Sequence, residues 1–322
     1  MSRPRVLVLT FALTITALVP RALRADVSIE RLPEKAVVRL DGKLFTEYCV
    51  LSGAKPILWP ILGPTGKTMT RAYPMEKRSG ETTDHHHQRS MWFTHGSVNG
   101  VDFWSENDPH GTIRQREFVK TEGGKTGLLI TRDDWLGPHG KKMCEDERVL
   151  QFGGDADVRW IDFAITIRAT EGAVVFGDTK EGSFGLRIRD SMRVDAHQGG
   201  QIINSAVQAD DAAWGKPAAW VDYHGPVEGE TLGIAILNHP TSFRFPTRWH
   251  VRGYGLFAAN PFGEREFTKN PKDNGAYTLP RGKSLTLRYR VLFHRGDEKA
   301  GKVAQAFAAY AKTPVETPHQ KP

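Results

Sequence analysis

Cysteine is almost absent: Cys49 and Cys144 are the only two in 322 residues. Two cysteines cannot build the disulfide framework of a small secreted scaffold, and their spacing is not that of a metal knuckle. In an oxidising compartment they could pair with each other, or they stay two thiols. Long apolar runs are scarce as well. Beyond residue 20 no stretch approaches the ~20 apolar residues of a membrane-spanning helix, which argues against membrane insertion by the rest of the chain. No block of Lys and Arg makes a phosphate-tracking stripe, so nucleic acid is not an expected partner. Also missing are a GxSxG elbow, a P-loop, a GxGxxG after a strand, HExxH and a CxxC pair. Serine-hydrolase, nucleotide, dinucleotide, zinc-protease and dithiol chemistries therefore lack their usual carriers.

What is present starts with a leader-like segment. MSRPR carries two arginines, VLVLTFALTITALVP is apolar, and RALRA ends in small residues at Ala25. That is the layout of a secretory signal peptide, with an uncleaved anchor as the alternative. Cleavage after Ala25 removes Arg3, Arg5, Arg21 and Arg24 and lowers the net charge from +7 to +3, so the basic balance is partly the leader. The expected location is periplasmic or secreted.

The remaining chain reads as short strands punctuated by Gly, Pro, Asn and Asp: VSIERL, AVVRL, KLFTEYCV, KPILWPIL, TGLLITRDDW, DVRWIDFAITIRA, AVVFG, FGLRIR, AAWVDYHG, LGIAILNH, RWHVRGYGLFAAN and SLTLRYRVLFH. In IDFAITIRA, Ile161, Phe163, Ile165 and Ile167 fall on one face and Asp162, Thr166 and Arg168 on the other. One helix is expected, in GDEKAGKVAQAFAAYAK, with Val303, Phe307 and Tyr310 on its buried face. The predicted fold is all-β, a large antiparallel β-sandwich spanning residues 26–312 as one domain with its C-terminal helix, followed by a disordered tail at 313–322.

Chemistry concentrates in a few stretches. If DHHHQRSMWFTHG is a strand, His85, His87 and Arg89 share a face while His86 and Gln88 point away. Such a pair can move protons beside a sugar hydroxyl. It can also hold a divalent metal, Zn²⁺ or Cu²⁺, with a third ligand such as His95, His239 or His250. Otherwise these are solvated loop histidines capped by Asp84. Arg71, in TMTRAYPM, offers a planar fork for an oxyanion or for hydroxyls; as an isolated residue it would be a surface ion pair. DTKEG places Asp178, Lys180 and Glu181 in a turn between strands, either as a solvated charged turn or with Glu181 as general acid or base tuned by Lys180. WVDYHG and the stretch from His239 to Gly263 mix Trp220, Tyr223, Trp249 and Tyr254 with Asp222, His239, His250 and Asn260. Aromatics serve sugar ring faces or the core, and the polar groups serve hydroxyls.

Together KPILWPILGPTGKTMTRAYP, TDHHHQRSMWFTHGSVNGVDFW, FGDTKEGSFGLRI, WVDYHG and HPTSFRFPTRWHVRGYGLFAANPFG resemble the PmoA-like family of secreted bacterial proteins. That family takes its name from a methane monooxygenase subunit, a label at odds with a chain lacking spanning segments after the leader. The resemblance implies a galactose-mutarotase-like supersandwich, carbohydrate as substrate class and sugar oxidoreductases as pathway partners. The family's histidine block reads DHPHHRS, so Asp84, His85, His87, Arg89 and Ser90 match it, while His86 and Gln88 depart from it. Arg71 matches the family's RxYP element, and Asp178, Lys180 and Glu181 match its DTKEG. The expectation is an exported carbohydrate-active enzyme performing elimination, epimerisation or hydrolysis on a sugar or keto-sugar. His85, His87 and Glu181 would act as acid/base groups. Arg71, Asp84, Arg89, Lys180, Tyr223, His239, His250 and Asn260 would bind substrate. No cofactor is expected beyond the metal alternative at His85 and His87. The competing readings are a non-catalytic carbohydrate-binding accessory protein and a His-ligated metalloprotein.

Overall fold

The structure, a computed structural model, describes residues 26–314, so the expected leader and residues 315–322 of the expected tail lie outside the described residues. Two eight-stranded antiparallel sheets form the sandwich. The first orders its strands Val27–Arg31, Lys35–Leu40, Lys43–Ser52, Lys55–Ile61, Met91–His95, Gly182–Arg187, Leu256–Asn260 and Arg248–Val251. The second orders them Gln201–Asn204, Trp220–Val227, Glu230–Asn238, Ser284–Arg295, Val158–Arg168, Lys142–Gly154, Gly127–Leu136 and Thr112–Glu122. A two-stranded ribbon pairs Val174–Phe176 with Tyr277–Leu279.

Alternation supplies the inner faces. Ile161, Phe163, Ile165 and Ile167 are all buried in the core, while Asp162 on the opposite face pairs with Arg290 at 2.5 Å. Aromatic rings bridge the sheets: Phe184 of the first stacks on Phe163 and on Tyr289 of the second, with centroids 4.8 Å apart in both pairs. Burying one such ring contributes about 2–3 kcal/mol before entropy is counted. One apolar cluster runs from Val27 to Phe293 through both sheets.

Four strands differ from expectation by being present where no apolar alternation announces them: Thr112–Glu122, Lys142–Gly154, Gln201–Asn204 and the short Tyr277–Leu279. In Lys142–Gly154 the alternate buried positions include Asp146 and Arg148, charges that face one another indoors: Arg148 Nε lies 3.0 Å from Asp146 and 3.3 Å from Asp133. The Trp135 indole N–H also donates to Asp146 at 2.6 Å. Thr112–Glu122 is an edge strand carrying an outward ion ladder in which Arg116 meets Asp134 and Glu145. RWHVRGYGLFAAN is a hairpin rather than one strand, turning at Gly255, where φ is +99° and a side chain would be strained.

The C-terminal helix is shorter than its sequence pattern, Val303–Tyr310. Asp297 accepts from the Lys299 and Ala300 amides, which makes a turn of the acidic lead-in, and Lys302 sits at φ +52°. Val303 and Tyr310 are buried and Phe307 partly so, against Ala235, Leu237 and Leu292 on the outer face of the second sheet. Cys49 and Cys144 are free thiols, so no disulfide joins them. Burial pushes the Cys49 thiol up to about 11.

The histidine block is not a strand. The strand begins only at Met91, and residues 84–90 form a turn and its flanks, so the alternation argument for His85 and His87 fails. Above that strand lies the second face of the first sheet. Ile57, Trp92, Gly185, Ala258 and His250 align in register across five strands. A Cβ on Gly185 would come within 2.7 Å of the Trp92 ring, so the glycine makes room for that indole. Trp104 packs on Trp92 at 5.3 Å, and Ile57, Leu256 and Ala258 complete the apolar floor.

Candidate functional site

The triple histidine is a turn held by its own carbonyls. The Gln88 amide donates to His85 O at 2.9 Å, with His85 at φ +44°. Arg71 donates from Nη2 to Asp84 O at 2.9 Å and His85 O at 3.2 Å. Lys55 donates from Nζ to His87 O at 2.7 Å and pairs with Glu106 at 2.6 Å. Arg71 and Lys55 are both fully buried. Such buried cations survive only with partners, and the loop carbonyls are those partners. With its backbone fastened from beneath, the turn leaves His85 and His86 exposed and His87 half-buried.

Asp84 organises the side chains. Its Oδ1 accepts from Arg71 Nη1 at 2.5 Å and Arg187 Nη2 at 3.0 Å, and its Oδ2 lies 2.8 Å from His85 Nδ1. Burial alone would raise this carboxyl, but Arg187, His85 and Arg71 hold it down to about 2. A fixed anion on Nδ1 sets the orientation of the His85 ring, which is how an orienting carboxylate prepares an imidazole for proton transfer. The His85 ring stacks on Tyr254 with centroids 5.1 Å apart and planes 9° from parallel. His87 stands 5.7 Å from His85 and 6.3 Å from Trp104, centroid to centroid. Burial first, then Lys55 and the neighbouring histidines, lower the His87 imidazole to about 3, so it is a neutral base in ordinary buffers. Arg187 extends the cluster: it donates to Gln88 Oε1 at 2.6 Å and lies over the Tyr254 ring at 4.9 Å. Burial and Arg71 lower its guanidinium to about 10. Gln88, where the resembling family has histidine, is thus a buried support rather than a group facing solvent.

Glu181 reaches the same face from the loop that links the small ribbon to Gly182–Arg187, two sheets rather than one hairpin. It is half-exposed, pairs with Lys180 at 2.8 Å and acts electrostatically on Tyr254. Lys180 also meets Glu266 at 3.1 Å. Asp178 points elsewhere and caps the amides of Glu264, Arg265 and Gly275.

Several expected substrate contacts are structural instead. Arg71 is 0% exposed and its fork is spent on the loop, so it braces the site rather than clamping an anion from solvent. Arg89 is bidentate to Glu106. Asn260, also 0% exposed, donates to Thr179 O and Lys180 O and accepts from the Phe262 and Gly263 amides. His250 bonds Lys180 O through Nδ1 at 2.9 Å, and burial lowers it to about 3. These two hold the Glu181 loop from below. Tyr223 is core, its hydroxyl bonded to Val194 N and Gly253 O. His239 belongs to the second sheet, bonding Thr241 and packing on Tyr310 under the C-terminal helix. His95 spends both nitrogens on Gly177 O and Ser183 Oγ. The third metal ligand expected from His95, His239 or His250 is therefore absent from the turn, and among the described residues no metal-like group forms around His85 and His87. Unforeseen members are Arg187, Lys55, Glu106 and Trp104. The signal available for Arg187 was a charge in FGLRIR flanked by the apolar Leu186 and Ile188.

Comparison with known proteins gives a family and a set of distant folds. A family of unknown function, DUF6807, matches over residues 35–308. The blocks resembling the PmoA-like family fall largely within that span, and nothing found ties the chain to a methane monooxygenase subunit. No curated protein matches significantly. A galactose mutarotase-like protein from Clostridium acetobutylicum is 8% identical with a TM-score of 0.38, over 84% of this chain and 98% of that one. A putative aldose 1-epimerase from Escherichia coli K12 is 12% identical with a TM-score of 0.31, over 84% of this chain and 100% of that one. A heparan sulfate lyase mutant, HepC, from Pedobacter heparinus is 8% identical with a TM-score of 0.37, over 84% of this chain, which spans only 35% of the lyase. Values this low carry no argument about chemistry.

Proposed function

The chain belongs to the DUF6807 family, and from that premise we propose that it is an exported carbohydrate-active enzyme working by proton transfer on a sugar or keto-sugar. The observation that carries the reading is the Asp84–His85 contact at 2.8 Å beside the neutral His87. One imidazole is oriented by a locked anion and a second is held unprotonated, which supplies two proton-transfer groups on one exposed turn. Tyr254 and Trp104 offer ring faces next to them. Glycoside hydrolysis ordinarily uses two opposed carboxylates. Glu181, which acts electrostatically on Tyr254 and pairs with the half-exposed Lys180, is a single candidate rather than an opposed pair, so elimination or epimerisation suits the residues better. A sugar oxidoreductase in the same compartment would supply or consume the keto-sugar.

A second reading, a non-catalytic carbohydrate-binding accessory protein, draws support from the Lys180 pair that occupies Glu181. Product release from a panel of keto-glycosides separates the two. The enzyme should lose 10²–10⁴-fold of its rate in His85→Ala and in His87→Ala while sugar binding persists. A wild-type chain that binds these sugars and converts none leaves only the accessory role.

A further inference from the structure

The second sheet carries another cluster of titratable groups, on the face away from the core. Asp222 and His224 are two residues apart on Trp220–Val227 and so share that face. The register places His224, Gly233 and His294 in one row. A Cβ on Gly233 would stand 2.2 Å from the His294 ring, so the glycine is what lets the imidazole lie across the row. Asp222 bridges both rings, with Oδ1 2.7 Å from His224 Nδ1 and Oδ2 2.7 Å from His294 Nε2. Glu298, from the turn before the C-terminal helix, brings Oε2 to 4.0 Å from His224 Nδ1. The donor atoms of Asp222, His224 and Glu298 all lie within 4.8 Å of one another, the spread of ligands around a single cation.

We propose that Asp222, His224 and Glu298 bind one divalent transition-metal ion, with His294 holding Asp222 in place. One imidazole and two carboxylates suit Zn²⁺ or Mn²⁺ rather than a thiophilic ion. Binding needs the His224 Nδ1 lone pair, so the proton shared with Asp222 Oδ1 leaves to solvent as the ion enters. His294 keeps its bond to the other Asp222 oxygen, the arrangement in which an outer imidazole fixes a carboxylate ligand. The local field favours a cation. Two carboxylates face the His224 ring, with Asp222 Oδ1 at 2.7 Å and Glu298 Oε2 at 4.0 Å from Nδ1. The facing cation, Lys299, is 4.0 Å from Glu298 and almost fully exposed, free to turn away. An ion there would fasten the segment leading into Val303–Tyr310 to the sheet, independently of the chemistry at His85.

The test uses the full chain without an affinity tag, stripped by chelator and then titrated with Zn²⁺ and with Mn²⁺ by calorimetry, followed by elemental analysis after dialysis and by thermal unfolding. About one metal per chain and a raised melting temperature are expected. Glu298→Gln, at a half-buried turn position that should fold, is expected to abolish stoichiometric binding. His294→Gln should weaken affinity about 10–100-fold, and the double variant His85→Ala/His87→Ala should bind as the wild type does. Substoichiometric metal in the wild type overturns the proposal. So does stoichiometric metal that survives Glu298→Gln, or that disappears with His85 and His87.

Discussion

Arg187 donates from Nη2 to Asp84 Oδ1 at 3.0 Å, joining the last residue of a sheet strand to a turn 103 residues earlier in the chain. Arg71 takes the same oxygen. Two fully buried guanidiniums thus share one half-exposed carboxylate, and the other oxygen of that carboxylate aims His85.

Asp84→Asn should therefore lower stability and activity together. The amide keeps an acceptor but removes the charge that balances Arg71 and Arg187. The expected loss is about 2 kcal/mol, below the 3–5 kcal/mol of a fully buried pair because Asp84 is partly solvated. With the folded carboxyl lowered to about 2, the wild-type contribution is present above the unfolded value of 3.8 and fades as pH falls toward 2. Denaturant titrations of both proteins should converge at acid pH. Equal stabilities at pH 7 would contradict the assigned role.

Histidines predict a stability maximum near pH 6.5. Burial lowers His87 to about 3, His95 to about 4 and His250 to about 3. Below 6.5 the unfolded chain takes up protons at these positions that the folded chain refuses, so stability falls with pH, by up to about 1.4 kcal/mol per unit for each. His224 and His294 act oppositely: although burial resists, the Asp222 carboxylate raises both. Their contribution is complete below 6.5 and is lost as pH rises through the folded values. Asp133, pushed up by burial against the pull of Arg148, contributes less as pH rises and so offsets part of the acid slope. Chemical denaturation of chelated protein from pH 5 to 9 measures this, and a flat profile would refute the assignment.

How much of this was legible depends on where the determinants lie. Ile161 to Ile167 announce their strand because each inward position is apolar. Asp146 and Arg148 hide theirs because they point into the core as a pair whose partner Asp133 belongs to the neighbouring strand. The blocks around DHHHQRS, DTKEG and GLFAAN do meet on one sheet face, and their polar and aromatic residue types mark them out in the sequence as a candidate site. Roles were harder to read. Arg71 and Asn260 look like ligand-binding groups by type, and only the path of the chain shows their hydrogen bonds ending on loop carbonyls. The turn itself depends on Lys55, 32 residues from the carbonyl it holds, a separation no local pattern encodes. His224 and His294 converge through an intervening glycine strand, which spacing cannot reveal.

Gly96→Ala should disturb Glu181 specifically. A Cβ at residue 96 would stand 2.8 Å from Glu181 Cβ and 2.9 Å from its carbonyl oxygen, and the Gly96 amide donates to that same carbonyl at 2.7 Å. The loop must shift, at a cost of about 1–3 kcal/mol. If Glu181 takes part in catalysis, turnover should fall more than sugar affinity does. Unchanged stability would show that the loop is looser than these contacts imply.

Asn260→Ala tests whether the loop is positioned from below. The amide satisfies two carbonyls, at Thr179 and Lys180, and two amides, at Phe262 and Gly263, all within 3.0 Å. Removing it strands three backbone groups, Thr179 O and the Phe262 and Gly263 amides, in a site with no exposure, while Lys180 O keeps His250 and the Gly182 amide; each unsatisfied group costs about 1–3 kcal/mol, reduced where the loop relaxes toward water. A net loss of roughly 2–4 kcal/mol follows, among the larger effects of a single substitution. Asn260→Asp should be nearly as harmful, because it keeps the acceptor for Phe262 and Gly263 but turns an anionic oxygen on the two carbonyls. A direct ligand would behave otherwise: both variants would keep their melting temperature and lose sugar affinity, and thermal unfolding alongside a binding titration distinguishes the outcomes.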